Sequence, residues 1–361
     1  MTTPNPTLKG HKLLLLSPAA TPPPAAYIDS LRAQFPDLQI AQFTSSWSER
    51  YLPDMFPGAE WADTTILSTL TALPTVEQAP KLAYVQLASA GANHIFDAPI
   101  FQDTNIAFCT ANGVHGPQIS EWVILTFLAH QHALPRYLKY QEEQKWNRRY
   151  GDAVIDAYQQ RIGILGYGSI GRQVARVAKA MGMDVHAYTL HPRPTPESRR
   201  DDGWMPAGLG DPDGVFPSRW FAGETTAELH AFLGSGLDLL LIALPLTAMT
   251  RGLIGRAEFE VMAAKRTFVS NIARGPIIVT DDLIDALEDH VIRGAALDVT
   301  DPEPLPDGHP LWTAKNVIIT PHVSGGSSGY YERVQAILKT NLQRLSQGKE
   351  LINKVNRREG Y

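Results

Sequence analysis

"RIGILGYGSIGRQVARVAKAMGMDVHAYTLHPRP", residues 161–194, decides the fold of this chain. A short apolar run, "RIGIL", leads into Gly166, Gly168 and Gly171, and a helical stretch follows at once. Strand, glycine turn and helix in that order open a dinucleotide-binding unit. The first glycine permits the tight turn, the second lets the backbone approach a pyrophosphate, and the third packs helix on strand. The backbone N–H groups at the positive helix end, through Ser169 and Ile170, then face the phosphates.

About 20 positions on, such units usually carry an acid that accepts from the ribose 2′-hydroxyl. Here the second strand ends on Thr189, His191 and Arg193, with no acid among them. A hydroxyl, an imidazole and a guanidinium suit a 2′-phosphate, which an acid would repel. The expectation is NADP, preferably as NADPH, with NAD possible. The alternative leaves Arg193 solvated and NAD bound without the acid.

The chain has 361 residues, 44% of them hydrophobic and 19% charged, and a formal charge of −5. That length carries two domains with substantial cores. The mild acidity argues against broad adhesion to nucleic acid or to an anionic membrane. No apolar run approaches the ~18 residues of a spanning helix, and the early "KLLLL" is too short for a secretory core. Cys109 is the sole cysteine, which excludes an intrachain disulfide and places the protein in the cytoplasm by default.

Short apolar runs alternate with helical stretches on both sides of residue 161. "KLLLL", "LQIAQF", "TILST", "LAYVQLA" and "IAFCTA" read as a first strand series; "DVHAYTL", "LDLLLIALP", "RTFVSNIA", "IRGAALDVT" and "NVIITPH" continue the second. The fold class is α/β with parallel sheets. "ISEWVILTFLAHQHAL", 119–134, has helical spacing and is placed between the domains, and "YERVQAILKTNLQRLSQGK" closes the chain as a helix. Residues 193–225 are rich in Gly, Pro and charge, without a period. So long a loop is either functional or mobile.

Three strand ends carry chemistry. "SNIARGPIIV" sets Arg274 after a strand, "AALDVTDPEPLPDGHPLW" brings Asp298, Asp301 and Glu303 to another, and "NVIITPHVSGG" puts His322 after a third. Ligands of open parallel sheets bind outside the carboxyl ends of strands, so these groups can converge. Together they describe reduction of a 2-keto acid. Arg274 would hold the substrate carboxylate and polarise the carbonyl. His322 would protonate the carbonyl oxygen as hydride arrives, and Glu303 would hold the imidazolium. The histidines show no metal-ligand spacing, and this chemistry needs no metal.

With "ASAGANHI", "LPLTAMTRGLIG", "NIARG", "LDVTDPEPLP" and "HPLWTAKNVIITPH" in order, the chain resembles the D-isomer-specific 2-hydroxyacid dehydrogenases over nearly its whole length. An NADP-preferring enzyme similar to the glyoxylate/hydroxypyruvate reductases is the conservative form of this resemblance, and a reductase of larger 2-keto acids, such as phenylpyruvate or branched-chain ones, is the other. The resemblance implies two Rossmann-like domains. One is a flavodoxin-like substrate domain from 1–125 and 330–361, and the other a dinucleotide-binding domain from 126–329. It gives Arg274, Glu303 and His322 the roles already argued and puts Asp298 against the nicotinamide carboxamide. Pro245 and Ala273 join the cofactor-binding set. The turn of Ser89, Ala90 and Gly91 would offer backbone N–H groups to the substrate carboxylate. A homodimer is implied, with a small 2-keto or 2-hydroxy acid as the other partner. Two stretches look longer than the family's, 193–225 and the one around Trp47, Tyr51, Leu52, Met55 and Phe56. The second would line the pocket mouth for bulky keto acids or simply pack the lobe. Other readings are formate or phosphite dehydrogenase and a nucleotide-binding corepressor. Formate oxidation is disfavoured because those enzymes carry glutamine in the place of Glu303.

Overall fold

The computed structural model describes residues 3–46, 48 and 58–357; Trp47, Tyr51, Leu52, Met55 and Phe56 lie outside them. It divides into two units, 1–114 with 327–361, and 115–326.

The first unit runs β1 (Lys12–Ser17), α1 (Ala25–Gln34), β2 (Gln39–Thr44), α2 (Gly58–Ala62), β3 (Ile66–Thr69), β4 (Tyr84–Leu87), α3 (Pro99–Gln102) and β5 (Ala107–Cys109). Its five strands are parallel in the order β2-β1-β3-β4-β5. That is the flavodoxin-like order expected from the resemblance. Helices cover both faces, so β3 and β4 are buried along their length and β1 along all but its ends, while the edge strand β2 is partly exposed. Leu14, Leu67 and Val85 face one core, and Leu13, Ile66 and Tyr84 the other.

The second unit begins with α4 (Gly116–Gln131) and α5 (Leu134–Glu142), separated by Ala133 in a left-handed conformation at φ 51°. There follow β6 (Arg161–Leu165), α6 (Ser169–Ala180), β7 (Asp184–Thr189), α7 (Pro196–Arg199), β8 (Arg219–Ala222), α8 (Thr226–Leu233), β9 (Leu239–Ile242) and α9 (Arg256–Met262). Then come β10 (Phe268–Asn271), α10 (Thr280–Glu288), β11 (Gly294–Leu297) and β12 (Val317–Ile319). The closing helix α11 (Tyr330–Ser346) belongs to the first unit.

The seven strands of the second sheet run β12-β11-β10-β9-β6-β7-β8, all parallel. Strand order reverses at β6, the switch point where such sheets take their nucleotide. α4 is the helix expected between the domains, yet it falls wholly within the second unit, so the division is at 114/115 rather than 125/126. The reason is packing. Ile119, Val123 and Phe127 of α4 share a core with Val174, Ala175 and Ala178 of α6. Phe127 also meets Phe268 with ring centroids 5.8 Å apart. Truncating such a buried ring to alanine costs about 3–5 kcal/mol.

The stretch 193–225 is not one structureless loop. α7 is closed by a reciprocal cap between Thr195 and Ser198, and β8 pairs with β7. Between them the chain is fastened to α6. Gln173 accepts from the Gly210 N–H at 2.7 Å and Arg176 donates to the Gly210 carbonyl at 2.7 Å. No helix of the described residues is long and apolar enough to cross a membrane.

Candidate active site

Most candidate residues of the second unit stand at or just beyond the carboxyl end of a strand, while Ser169, Ile170 and Gly171 lie in the first turn of α6 and Glu303 lies further past β11. Gly166 follows β6, Thr189 ends β7, Pro245 follows β9, Ala273 and Arg274 follow β10, Asp298 follows β11, and His322 follows β12.

The glycine turn has the shape a pyrophosphate requires. Gly166 sits at φ 103°, where a Cβ would also lie 2.6 Å from the Ala243 carbonyl oxygen. At Gly171 a Cβ would come within 2.6 Å of the Gly166 oxygen and 2.8 Å of Ile164, so helix and strand touch there. Gly168 is different: a Cβ there would meet nothing within 4 Å. Protein packing does not demand that glycine. The space it leaves, exposed at the start of α6, fits the approach of a phosphate. Ser169 is buried and Ile170 half-buried in the same turn, so their contribution to a ligand is through backbone N–H groups. Pro245 is exposed beside this turn, its carbonyl accepting from the Thr250 hydroxyl at 2.7 Å.

At the end of β7 the three candidates differ. The Thr189 hydroxyl donates to the His191 carbonyl at 2.8 Å, and His191 is exposed. Arg193 is half-buried and tied down, with Nη1 donating to the Ser198 carbonyl at 2.6 Å. The guanidinium keeps further donors for a ligand.

The loops after β10, β11 and β12 are tied to one another. Asn271 accepts from the Ala273 N–H at 3.0 Å and donates to the Arg274 carbonyl at 3.1 Å, which shapes the turn bearing Arg274. Arg274 Nη1 donates to the Ala273 carbonyl at 2.6 Å. Gly275 lies so close to the Thr300 carbonyl that a Cβ would fall 1.9 Å from it, joining this turn to the next. Thr280 then donates to the Asp301 carbonyl at 2.9 Å, and Thr300 to the Pro302 carbonyl at 2.8 Å. These bonds fix the segment that ends in Glu303.

His322 and Glu303 meet. His322 Nδ1 donates to Glu303 Oε1 at 2.7 Å, with half of the His322 side chain exposed. That bond orients the ring and leaves Nε2 as the nitrogen not engaged by Glu303. His322 itself is left-handed, at φ 55°. A non-glycine residue holds that conformation only when its surroundings impose it. Asp298 supplies the constraint. It is 2% exposed, and its carboxylate accepts from Thr320 Oγ1 at 2.6 Å and from the Val323 N–H at 2.9 Å. It also accepts from the Ser324 N–H at 3.0 Å and the Ser324 hydroxyl at 2.5 Å, while its carbonyl takes the His322 N–H at 2.8 Å. The whole carboxylate is engaged by the loop that carries His322.

In the first unit, Ser89, Ala90 and Gly91 form a half-buried bend in which the Ser89 hydroxyl donates to the Gly91 carbonyl at 2.8 Å. Tyr330 of α11 donates to the Ala88 carbonyl beside it. Among the described residues no cluster of three or more His, Cys, Asp or Glu is placed to hold a metal.

The sequence reading did not pick out Asn271, Thr320 or Ser324. Asn271 was visible within "NIARG", but its use as a brace for the Arg274 turn appears only in three dimensions. Tyr167, Arg172 and Asp211 were missed as well. Arg172 is 3% exposed on α6, and burial above all, with the Arg193 charge adding to it, lowers its pKa; Asp201, Tyr167 and Asp211 oppose this. Burial and the Asp211 carboxylate hold the Tyr167 phenol above its usual range.

The sequence and the fold have counterparts in known proteins. The sequence model described as "D-isomer specific 2-hydroxyacid dehydrogenase, NAD binding domain" matches residues 124–206 and 220–324. The chain is 32% identical to a glyoxylate/hydroxypyruvate reductase A of Enterobacter sp. (strain 638), over 68% of this chain and 70% of that one. Among solved structures it is similar to a D-isomer specific 2-hydroxyacid dehydrogenase family protein of Aeromonas salmonicida, with TM-score 0.72, 26% identity, and coverage of 97% and 100%. It shares its fold with an NADPH-dependent glyoxylate/hydroxypyruvate reductase of Sinorhizobium meliloti in complex with NADP and sulfate, with TM-score 0.69, 24% identity, and coverage of 97% and 100%. By sequence and by fold, the chain belongs to the D-isomer specific 2-hydroxyacid dehydrogenase family of oxidoreductases.

Proposed function

We propose that this protein reduces 2-keto acids to D-2-hydroxy acids, reversibly, with NADPH preferred over NADH and His322 as the proton donor. The observation that carries the reading is the His322–Glu303 pair at 2.7 Å, in the same unit as a glycine turn that keeps open space at Gly168. When bound, the nicotinamide supplies or takes the hydride. Arg274 binds the substrate carboxylate and polarises the keto oxygen. His322 gives its Nε2 proton to that oxygen as negative charge develops there, and takes it back in the oxidation. Glu303 stabilises the imidazolium by an opposite charge in hydrogen-bond contact. Asp298 holds the loop that aims His322.

Glyoxylate and hydroxypyruvate, the substrates named for similar reductases, are the proposed substrate class. The preference for NADPH rests on Arg193 standing where an acid would exclude the 2′-phosphate, and the Sinorhizobium relative is an NADPH enzyme. A homodimer in the cytoplasm completes the reading, in keeping with the lone, buried Cys109 thiol. Initial rates at 340 nm with NADPH and with NADH, for wild type and Arg193→Ala, test it. The variant raises KM for NADPH at least tenfold more than KM for NADH, since a charge-assisted phosphate contact is worth on the order of 1.5–3 kcal/mol. Equal effects on the two cofactors would contradict the assignment of Arg193.

A further inference from the structure

Residues 207–219 fall between the two segments that the family's sequence model matches, so they lie outside the shared pattern. They nevertheless contain a buried acid, Asp211, 2% exposed. Its carboxylate accepts from the Tyr167 hydroxyl at 2.7 Å and from the N–H groups of Val215 at 2.9 Å and Phe216 at 3.1 Å. Tyr167 is the residue between the first two glycines of the phosphate turn. The Asp211 carbonyl accepts from Arg172 Nη1, and Arg172 Nη2 donates to the Arg199 carbonyl at 2.8 Å. Arg199 Nε donates in turn to the Arg193 carbonyl at 2.9 Å. One planar guanidinium on α6 thus bridges the insertion to the turn that presents Arg193.

We propose that Asp211 and Arg172 are positioning residues for recognition of the cofactor's 2′-phosphate, with the insertion 207–219 fixing the turn 193–199 through the Arg172 fork. The proposal rests on the NADPH reading above. Both side chains are buried, so neither is offered to the ligand as a contact. Their effect is on where Arg193 stands. A guanidinium holds two carbonyls at a set separation because its donors form a rigid fork, which an ammonium cannot reproduce. Three further contacts support the same frame. The Asp201 N–H donates to the Pro212 carbonyl at 2.9 Å, Arg172 Nε lies 3.4 Å from Asp201, and Arg200 Nε lies 3.3 Å from Asp213.

The test is calorimetric titration of the full chain with 2′,5′-ADP and, separately, 5′-AMP, in wild type, Arg172→Lys and Asp211→Asn. Arg172→Lys keeps the charge and removes the fork. In Asp211→Asn either orientation of the amide sets an NH2 group against a backbone N–H. Wild type is expected to prefer 2′,5′-ADP, and each variant to lose about tenfold of that preference, one factor of ten in Kd, with 5′-AMP nearly unchanged. A wild type without preference would overturn the NADPH reading. A wild type with preference whose variants keep it would overturn the positioning role alone, as would parallel weakening of both ligands. Should either variant fail to melt cooperatively, Tyr167→Phe, which removes a single hydroxyl, replaces it. It is expected to lower the preference about threefold, and an unchanged preference would refute the proposal.

Discussion

Asp298→Asn isolates the role of the loop that aims His322. The wild-type carboxylate accepts four hydrogen bonds from that loop, two on each oxygen. With an amide in its place, one side keeps an oxygen and both bonds. On the other side a hydroxyl, of Thr320 or Ser324, turns to accept from the new NH2. The backbone N–H beside it, of Val323 or Ser324, cannot turn and is left facing a donor. Bonds to a charged group contribute about 1.5–3 kcal/mol, and a buried unpaired donor costs about 1–3 kcal/mol. The net change is about 2–4 kcal/mol, concentrated in residues 320–324. If proton transfer needs the loop in place, kcat falls about 30- to 1,000-fold, at 1.36 kcal/mol per factor of ten. The assay is kcat at saturating keto acid and NADPH, with NADPH affinity followed by fluorescence. A kcat within about twofold of wild type, together with weakened NADPH binding, would refute the reasoning. It would return Asp298 to a cofactor contact alone.

Other substitutions probe separate parts of the account. Glu303→Gln keeps a hydrogen bond to the ring but removes the charge; kcat is expected to fall by about ten- to a hundredfold, with little change in NADPH affinity measured by titration. Gly168→Ala, where a Cβ meets nothing, leaves the melting temperature unchanged while weakening NADPH at least about tenfold; Gly166→Ala, at φ 103°, destabilises the fold as well. Equal melting losses at the two glycines would contradict the reading of the turn. His130, whose ring lies tilted against Phe268 with centroids 4.6 Å apart, has its pKa pushed down to about 4, by burial first and then by Arg293 and Arg136. The unfolded chain takes up this proton below pH 6.5 and the folded chain does not, so stability is lost as pH falls from 6.5 towards 4. The wild-type melting temperature should therefore drop more between pH 7 and 4.5 than that of His130→Gln, and equal drops would count against this.

The fold was legible because its information is local. A run such as "LDLLLI" has to be buried on both faces, and three glycines between strand and helix have few other uses. Arg274, Glu303 and His322 could be singled out as candidates because strand ends are where a parallel sheet binds ligands. What escaped was β8, an edge strand whose "RWFA" is half exposed, paired on one side only, and set among prolines and glycines. Nothing local marks such a strand. The boundary at 114/115 escaped because α4 is apolar over most of its surface, and periodicity does not say which core takes it. The Arg172–Asp211 and Asp298–Ser324 contacts join residues 39 and 26 positions apart. Arg172 and Asp211 each read alone as an ordinary surface charge, and nothing in the sequence ties Ser324 to Asp298. The left-handed His322 is likewise a product of Asp298 and its four donors, not of any preference of histidine.

The most direct test is to supply hydroxypyruvate and NADPH to the purified chain, follow absorbance at 340 nm, and resolve the glycerate formed by chiral chromatography. The account predicts NADPH oxidation that yields the D isomer, slower with NADH. The L isomer, or no oxidation with either cofactor, would contradict it.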